Sequence, residues 1–231
     1  PRLFNLMSNE EIEINTLSIQ ESNGLETGII DSLKGHNLLE LIKLIELFND
    51  AKEYGSILKI EGIDIEKAEE EFKTFENKET LFYNEEKKLL KTLIKQVKVL
   101  TQKYDVTVTN PPYMGNARLN EKLKKFVQME FPETKTDLFA MFMWQATKWT
   151  KTNGMIGLVT PYVWMFISSY EKLREKLIKE TTFNTLIQLE YNAFEGATIP
   201  VGTFTMINNS IEGYKGDYIK LSDFKGIENQ P

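Results

Sequence analysis

The residues best placed to do chemistry are Asn110-Pro111-Pro112-Tyr113, which follow directly on the run Tyr104-Asp105-Val106-Thr107-Val108-Thr109. That run reads as a buried strand. Two prolines cannot continue a sheet ladder, because their nitrogens carry no hydrogen. The residue before a proline is pushed toward extended geometry. The chain therefore leaves the strand at a fixed angle, with a carboxamide, two carbonyls and a phenol ring on a stiff corner. Open α/β sheets bind ligands at such C-terminal strand edges. A plain turn is the bland alternative, since Pro-Pro after a strand often marks nothing more.

The elements that must position this corner alternate between strand and helix. Tyr104 to Thr109 is the first strand of the alternation. A helix is expected over Asn116 to Met129, from the spacing of Leu119, Leu123, Phe126 and Val127. Asp137 can cap a second helix through Leu138, Phe142, Ala146 and Trp149, closed by Asn153-Gly154. Strands follow at Met155 to Thr160, Thr182 to Leu189, Thr203 to Ile207 and, more weakly, Tyr218 to Leu221, with a helix over Tyr170 to Lys179. Upstream, a strand is expected at Ile14 to Ile19 and a turn at Asn23-Gly24. A helix is expected over Leu38 to Tyr54, stopped by Gly55. Residues 65–104 are rich in Glu and Lys, with apolar residues such as Ala68, Phe72, Phe75, Leu89, Leu93 and Val97 at helical intervals, as in one or two amphipathic helices. The expected organisation is a segment 1–60, a helical insertion 61–103 and a segment 104–231 that carries the corner.

Composition limits the function. The chain has 231 residues, 41% hydrophobic, enough for one sizeable core. There is no apolar run long enough for a membrane helix. Cysteine is absent, which removes disulfides, thiolate metal sites and cysteine nucleophiles, and fits a cytoplasmic location. His36 is the only histidine. It sits among Lys34, Gly35 and Asn37 and reads as a loop residue, so no His-rich metal site is expected. The net charge of -6 argues against a wholly DNA-binding surface, though not against a local basic groove. The start at Pro1-Arg2-Leu3-Phe4 has no signal-peptide organisation and no initiator Met, as in the middle of a longer protein.

The stretch from Lys103 to Gly115 resembles the catalytic strand and loop of gamma-type N6-adenine DNA methyltransferases. The resemblance continues through Asp137-Leu138-Phe139-Ala140-Met141-Phe142, Asn153 to Pro161, Leu173-Arg174-Glu175-Lys176-Leu177 and Asn192-Ala193-Phe194-Glu195-Gly196-Ala197. Within that group the phrase Glu53-Tyr54-Gly55-Ser56-Ile57-Leu58 is similar to the methylase subunits of BREX phage-exclusion and related restriction–modification systems.

The resemblance implies an α/β, Rossmann-like methyltransferase sheet that uses S-adenosyl-L-methionine. The group's glycine-rich cofactor loop has no counterpart here. The spacing of Gly24 and Gly28 does not fit it. The sheet is then expected to be incomplete, with residues 1–60 as the later part of the cofactor half. By the same token, the isolated chain is expected to be inactive. Glu21 and Asn23, beyond the first strand, could lie near the cofactor, or form a polar turn.

The implied reaction is methyl transfer to the exocyclic amine of adenine. That amine is a weak nucleophile because its lone pair is delocalised into the ring. The side-chain oxygen of Asn110 and the carbonyl of Pro111 would accept its two hydrogens, with Pro112 holding their directions, which is electrostatic preorganisation. The methyl would arrive in line from the sulfonium, with no covalent enzyme intermediate, metal or histidine base. The adenine must leave the double helix. Tyr113 would stack on one face and Phe194 on the other. Arg118, Lys122, Lys124 and Lys125 could meet phosphate, although a solvated helix face explains them as simply. The implied partners are double-stranded DNA, the remaining domains of a longer protein and other defence-system subunits, with no membrane. The absence of cysteine excludes methylation at carbon 5 of cytosine. A non-catalytic assembly or recognition piece, and a protein-glutamine methyltransferase, remain as alternatives.

Overall fold

Four of the six residues of β1 (Tyr104–Thr109) are β-branched, which suits a pleated strand better than a helix. The strand pairs in parallel with β2 (Thr150–Pro161). Next comes β4 (Val201–Ile207), antiparallel to both β2 and β3 (Thr182–Gln188). The sheet ends at β5 (Asp217–Lys220), parallel to β3, giving the order β1-β2-β4-β3-β5. The computed structural model describes residues 16–25, 27–78, 84–190 and 199–221. No helix among them is long and apolar enough to cross a membrane.

In chain order the helices are α1 (Thr27–Gly35), α2 (Leu39–Leu47), α3 (Ala51–Tyr54), α4 (Ile65–Lys78), α5 (Asn84–Thr101), α6 (Glu121–Glu130), α7 (Leu138–Trp149) and α8 (Glu171–Glu180). The chain divides into two units, Pro1–Lys52 with Gly62–Val97, and Glu53–Glu61 with Lys98–Pro231.

The first unit is helical. Leu41, Leu44, Phe48, Phe72, Phe75, Leu90 and Leu93 are buried, and they fall at the spacing that the amphipathic pattern predicts. The carboxylate of Glu71 accepts from the backbone N–H of Glu40 at 2.8 Å and of Leu41 at 3.1 Å, capping α2 from α4. The strand expected at Ile14 to Ile19 does not form over its described part, residues 16–19. The reason lies next door: Gln20 gives its N–H and its carbonyl to the side chain of Gln96, which is 1% exposed, rather than to a neighbouring strand. The single helix expected over Leu38 to Tyr54 is broken at Phe48–Asp50, where Asp50 takes φ 58°.

The second unit holds the sheet. One face is covered by α7 and α8, with Phe139, Met143, Leu173 and Leu177 packed on Ile156, Leu158, Phe204 and Met206. A second cluster joins Leu119 and Val127 of the segment after the corner to Leu138, Met141 and Ile57. The strands expected at Thr182 to Leu189 and Thr203 to Ile207 form, and they pair antiparallel as β3 and β4. Helix α7 passes straight into β2, with no separate Asn153-Gly154 closure. Thr150 explains this. Its hydroxyl donates to the Ala146 carbonyl at 2.8 Å, ending the helix, and lies 2.7 Å from Thr107 Oγ1, whose own hydroxyl can donate to it, joining the sheet. Asn208 Nδ2 then takes the carbonyls of Thr147 at 2.9 Å and Thr150 at 2.8 Å.

β1 differs from the buried strand its sequence predicts. Among the described residues it pairs with β2 alone, and Val106 and Val108 are 59% and 76% exposed. Its β-branched pattern reports strand character; which strand lies beside it is set elsewhere in the chain.

Candidate active site at the Asn110–Tyr113 corner

The corner stands where the sequence places it. β1 ends at Thr109, Asn110 is exposed, and Pro111 is buried beneath it. The two prolines carry the chain across the end of β2. There the Tyr113 hydroxyl lies 2.8 Å from Asn110 Oδ1 and 3.2 Å from the carbonyl of Val159. The Tyr113 ring packs on the core and meets Phe139 edge-on, with centroids 6.4 Å apart. Burial pushes its phenol above the ordinary value. The end of β2 is itself braced: Trp164 Nε1 donates to Thr160 Oγ1 at 3.1 Å, and Arg174 Nη1 donates to the carbonyls of Trp164 and Ile167, each at 2.7 Å.

Asp137 anchors the far side of the loop. Its Oδ1 accepts from the N–H of Phe139 at 3.2 Å, capping α7, and from the N–H of Met114 at 3.1 Å. The Leu138 N–H to Met114 carbonyl bond at 3.0 Å and the Asn116 N–H to Thr136 carbonyl bond at 3.0 Å complete the clamp. Burial raises the Asp137 carboxyl, against the pull of the N–H groups of Phe139, Met114 and Leu138. Tyr170 stacks obliquely on Phe139 at 5.5 Å. Its phenol is pushed up to about 12 by burial and by the Asp137 carboxylate. The sequence showed Asp137 as a helix cap, because an acceptor before an apolar run is a local signal. Its tie to Met114, 23 residues away, has no local signal.

Of the other site candidates, Phe194 lies outside the described residues. Glu21 and Asn23 lie in the first unit, whereas the corner lies in the second. Asn23 Nδ2 donates to Asp50 Oδ1 at 2.7 Å and its Oδ1 accepts from the Asp50 N–H at 2.6 Å, so this side chain ties two turns together. Glu21 sits 3.8 Å from Lys52 Nζ. Gly24 takes φ 84°, as the Asn-Gly turn requires. Arg118, Lys122 and Lys125 are exposed, and Lys124 is half-buried.

Residues 7–194 match the profile of the Eco57I restriction-modification methylase family. The chain belongs to that family. Two curated relatives of this Eco57I-family chain are adenine-specific methyltransferases. PglX of Lacticaseibacillus casei (strain Zhang) is 31% identical over 93% of the chain. BrxX of Escherichia coli O9:H4 (strain HS) is 36% identical over 79% of it. The chain spans 18% and 16% of the lengths of these two proteins. Among solved structures, the methyltransferase subunit of a type I restriction-modification system from Streptococcus thermophilus matches with a TM-score of 0.42 and 19% identity, covering 56% of this chain and 28% of that one. Membership of the Eco57I family accords with the mixed α/β sheet and with the expected Rossmann-like methyltransferase class.

Proposed function

We propose that the protein to which this chain belongs transfers a methyl group from S-adenosyl-L-methionine to the N6 amine of adenine in DNA, and that this chain supplies the corner that receives the base. The observation that carries the reading is the placement of the Asn110 carboxamide on a proline-locked corner at the C-terminal end of β1, clamped by Asp137 through Met114.

In this reading Asn110 Oδ1 and the Pro111 carbonyl accept the two amino hydrogens. Pulling on both favours a pyramidal nitrogen and frees its lone pair. The acceptors are held before the base arrives, so little reorganisation accompanies the reaction. The cofactor, when bound, supplies an electrophilic methyl group. The acceptors at the corner suit that chemistry: neutral oxygens that hold an amine, with no cysteine in the chain to form a covalent adduct. Tyr113 stacks on one face of the extruded adenine, worth about 1–3 kcal/mol toward the cost of unpairing. Phe194 is assigned to the opposite face. The hydrogen bonds of Asn23 to Asp50 favour the polar-turn reading of that side chain, and Glu21, beside Lys52, stays the candidate for the cofactor side. Double-stranded DNA, the remainder of a longer protein and other subunits of a phage-defence or restriction–modification system are the proposed partners.

The test is transfer of labelled methyl to DNA by the full-length protein. Asn110→Ala is expected to lower turnover by about 10^2–10^3, the cost of one preorganised polar group, with an unchanged circular dichroism spectrum. Near-normal transfer by a folded Asn110→Ala protein would overturn the reading.

A further inference from the structure

We propose that the Tyr113 hydroxyl is a positioning group for Asn110, with a role separate from stacking by the Tyr113 ring. The proposal rests on Asn110 Oδ1 being an acceptor for the substrate amine. An exposed carboxamide turns easily about its terminal torsion. A half turn would present NH2 to the substrate amine, setting donor against donor. Something must hold the oxygen outward.

The hydroxyl of Tyr113 is built to do so. It has one hydrogen and two oxygens within reach. Asn110 Oδ1, at 2.8 Å, is at the usual O–H···O separation, and the Val159 carbonyl, at 3.2 Å, is beyond it. The hydrogen therefore goes to Asn110. The carboxamide oxygen has two lone pairs, so one can take the phenol and the other the adenine amine. The donor is immobile, because the ring packs on the core and meets Phe139 edge-on. Burial raises the phenol's pKa, so it stays protonated and remains a donor through neutral pH. Val159 sits on β2 and Asn110 just past β1, so the phenol also spans the ends of two paired strands.

Tyr113→Phe in the full-length protein separates ring from hydroxyl. The expected result is a fall in kcat of about tenfold, the scale of one hydrogen bond lost from the reaction geometry. KM for DNA is expected to stay unchanged. So is the fluorescence of 2-aminopurine placed at the target position, because the ring still holds the flipped base. An unchanged kcat would overturn the proposal. So would a KM that rises with unaltered kcat, which would make the hydroxyl part of binding. If Tyr113→Phe does not fold, replacement of Tyr113 by a fluorinated tyrosine of lower phenol pKa gives a second measurement. Its kcat should decline as pH rises through the fluorophenol ionisation, while wild type stays level over that range. Superimposable profiles would overturn the proposal. An active Asn110→Ala protein would instead remove the underlying reading, so the two failures are distinguishable.

Discussion

One carboxylate oxygen of Asp137 holds two backbone N–H groups that belong to different elements, Phe139 in α7 and Met114 in the loop after the corner. The helix start and the proposed active-site loop therefore share a single acceptor. Asp137→Asn keeps an acceptor oxygen and a good helix cap while shedding a half-buried charge. Its stability at neutral pH is expected to equal or exceed wild type, whereas Asp137→Ala should lose about 1–2 kcal/mol. The raised carboxyl fixes the sign of the pH dependence. A group whose folded pKa lies above its unfolded value contributes stability at low pH and loses it as pH rises from about the ordinary value of 3.8 upward. The gap between the Asn variant and wild type should widen in the variant's favour across that window. Urea unfolding at several pH values measures it, and a gap that narrows with rising pH would contradict the burial argument.

Tyr170 is expected to contribute most to the alkaline limit, beside Tyr104 and Tyr113, whose phenols burial also raises. Tyr170 is 6% exposed, and its phenol is pushed up from 10.0 to about 12 by burial and by the Asp137 carboxylate. The unfolded chain loses this proton first, so stability falls as pH rises from about 10 toward 12, at about 1.4 kcal/mol per pH unit. Tyr170→Phe removes that slope and should flatten the alkaline limb of the stability curve. Equal alkaline limbs for the two proteins would show that another group sets the limit.

Two glycines of β2 should respond unequally to a methyl group. A Cβ at Gly154 would stand 2.7 Å from the Asp105 carbonyl oxygen and 2.7 Å from Thr150 Cγ2, at the irregularity where β1 and β2 lose register. Backbone oxygen cannot swing away, so Gly154→Ala should cost about 1–3 kcal/mol. A Cβ at Gly157 meets only Val108, at 3.6 Å, an ordinary contact. Gly157→Ala should stay within about 0.5 kcal/mol of wild type. Thermal unfolding of the pair checks the contrast, and equal losses would remove the steric explanation.

The local readings held where one stretch of chain decides the outcome. The periodicity of residues 65–78 is that of α4, the cap Asp137 opens α7, and the Asn23-Gly24 turn takes the positive φ that glycine allows. The proline corner after β1 is of the same kind, because ring closure and the missing N–H act within four residues. Readings that needed a distant partner did not follow from the pattern. Residues 16–19 look like a strand, but the adjacent Gln20 is held by Gln96, 76 positions on. β1 has the composition of a buried strand, yet two of its valines face outward in the described sheet.

The sequence by itself determined the strand, the double-proline corner and the identity of its polar groups, since these depend on torsional limits and on side chains next to one another. Only the tertiary structure decided that the Tyr113 hydroxyl meets Asn110 at the end of β2 and that Asp137 holds Met114 as well as Phe139. Those contacts join residues brought together by sheet pairing and helix packing. A hydrogen bond of about 3 Å has no signature in spacing along the chain; it exists only once the elements that carry its two ends are locked against each other.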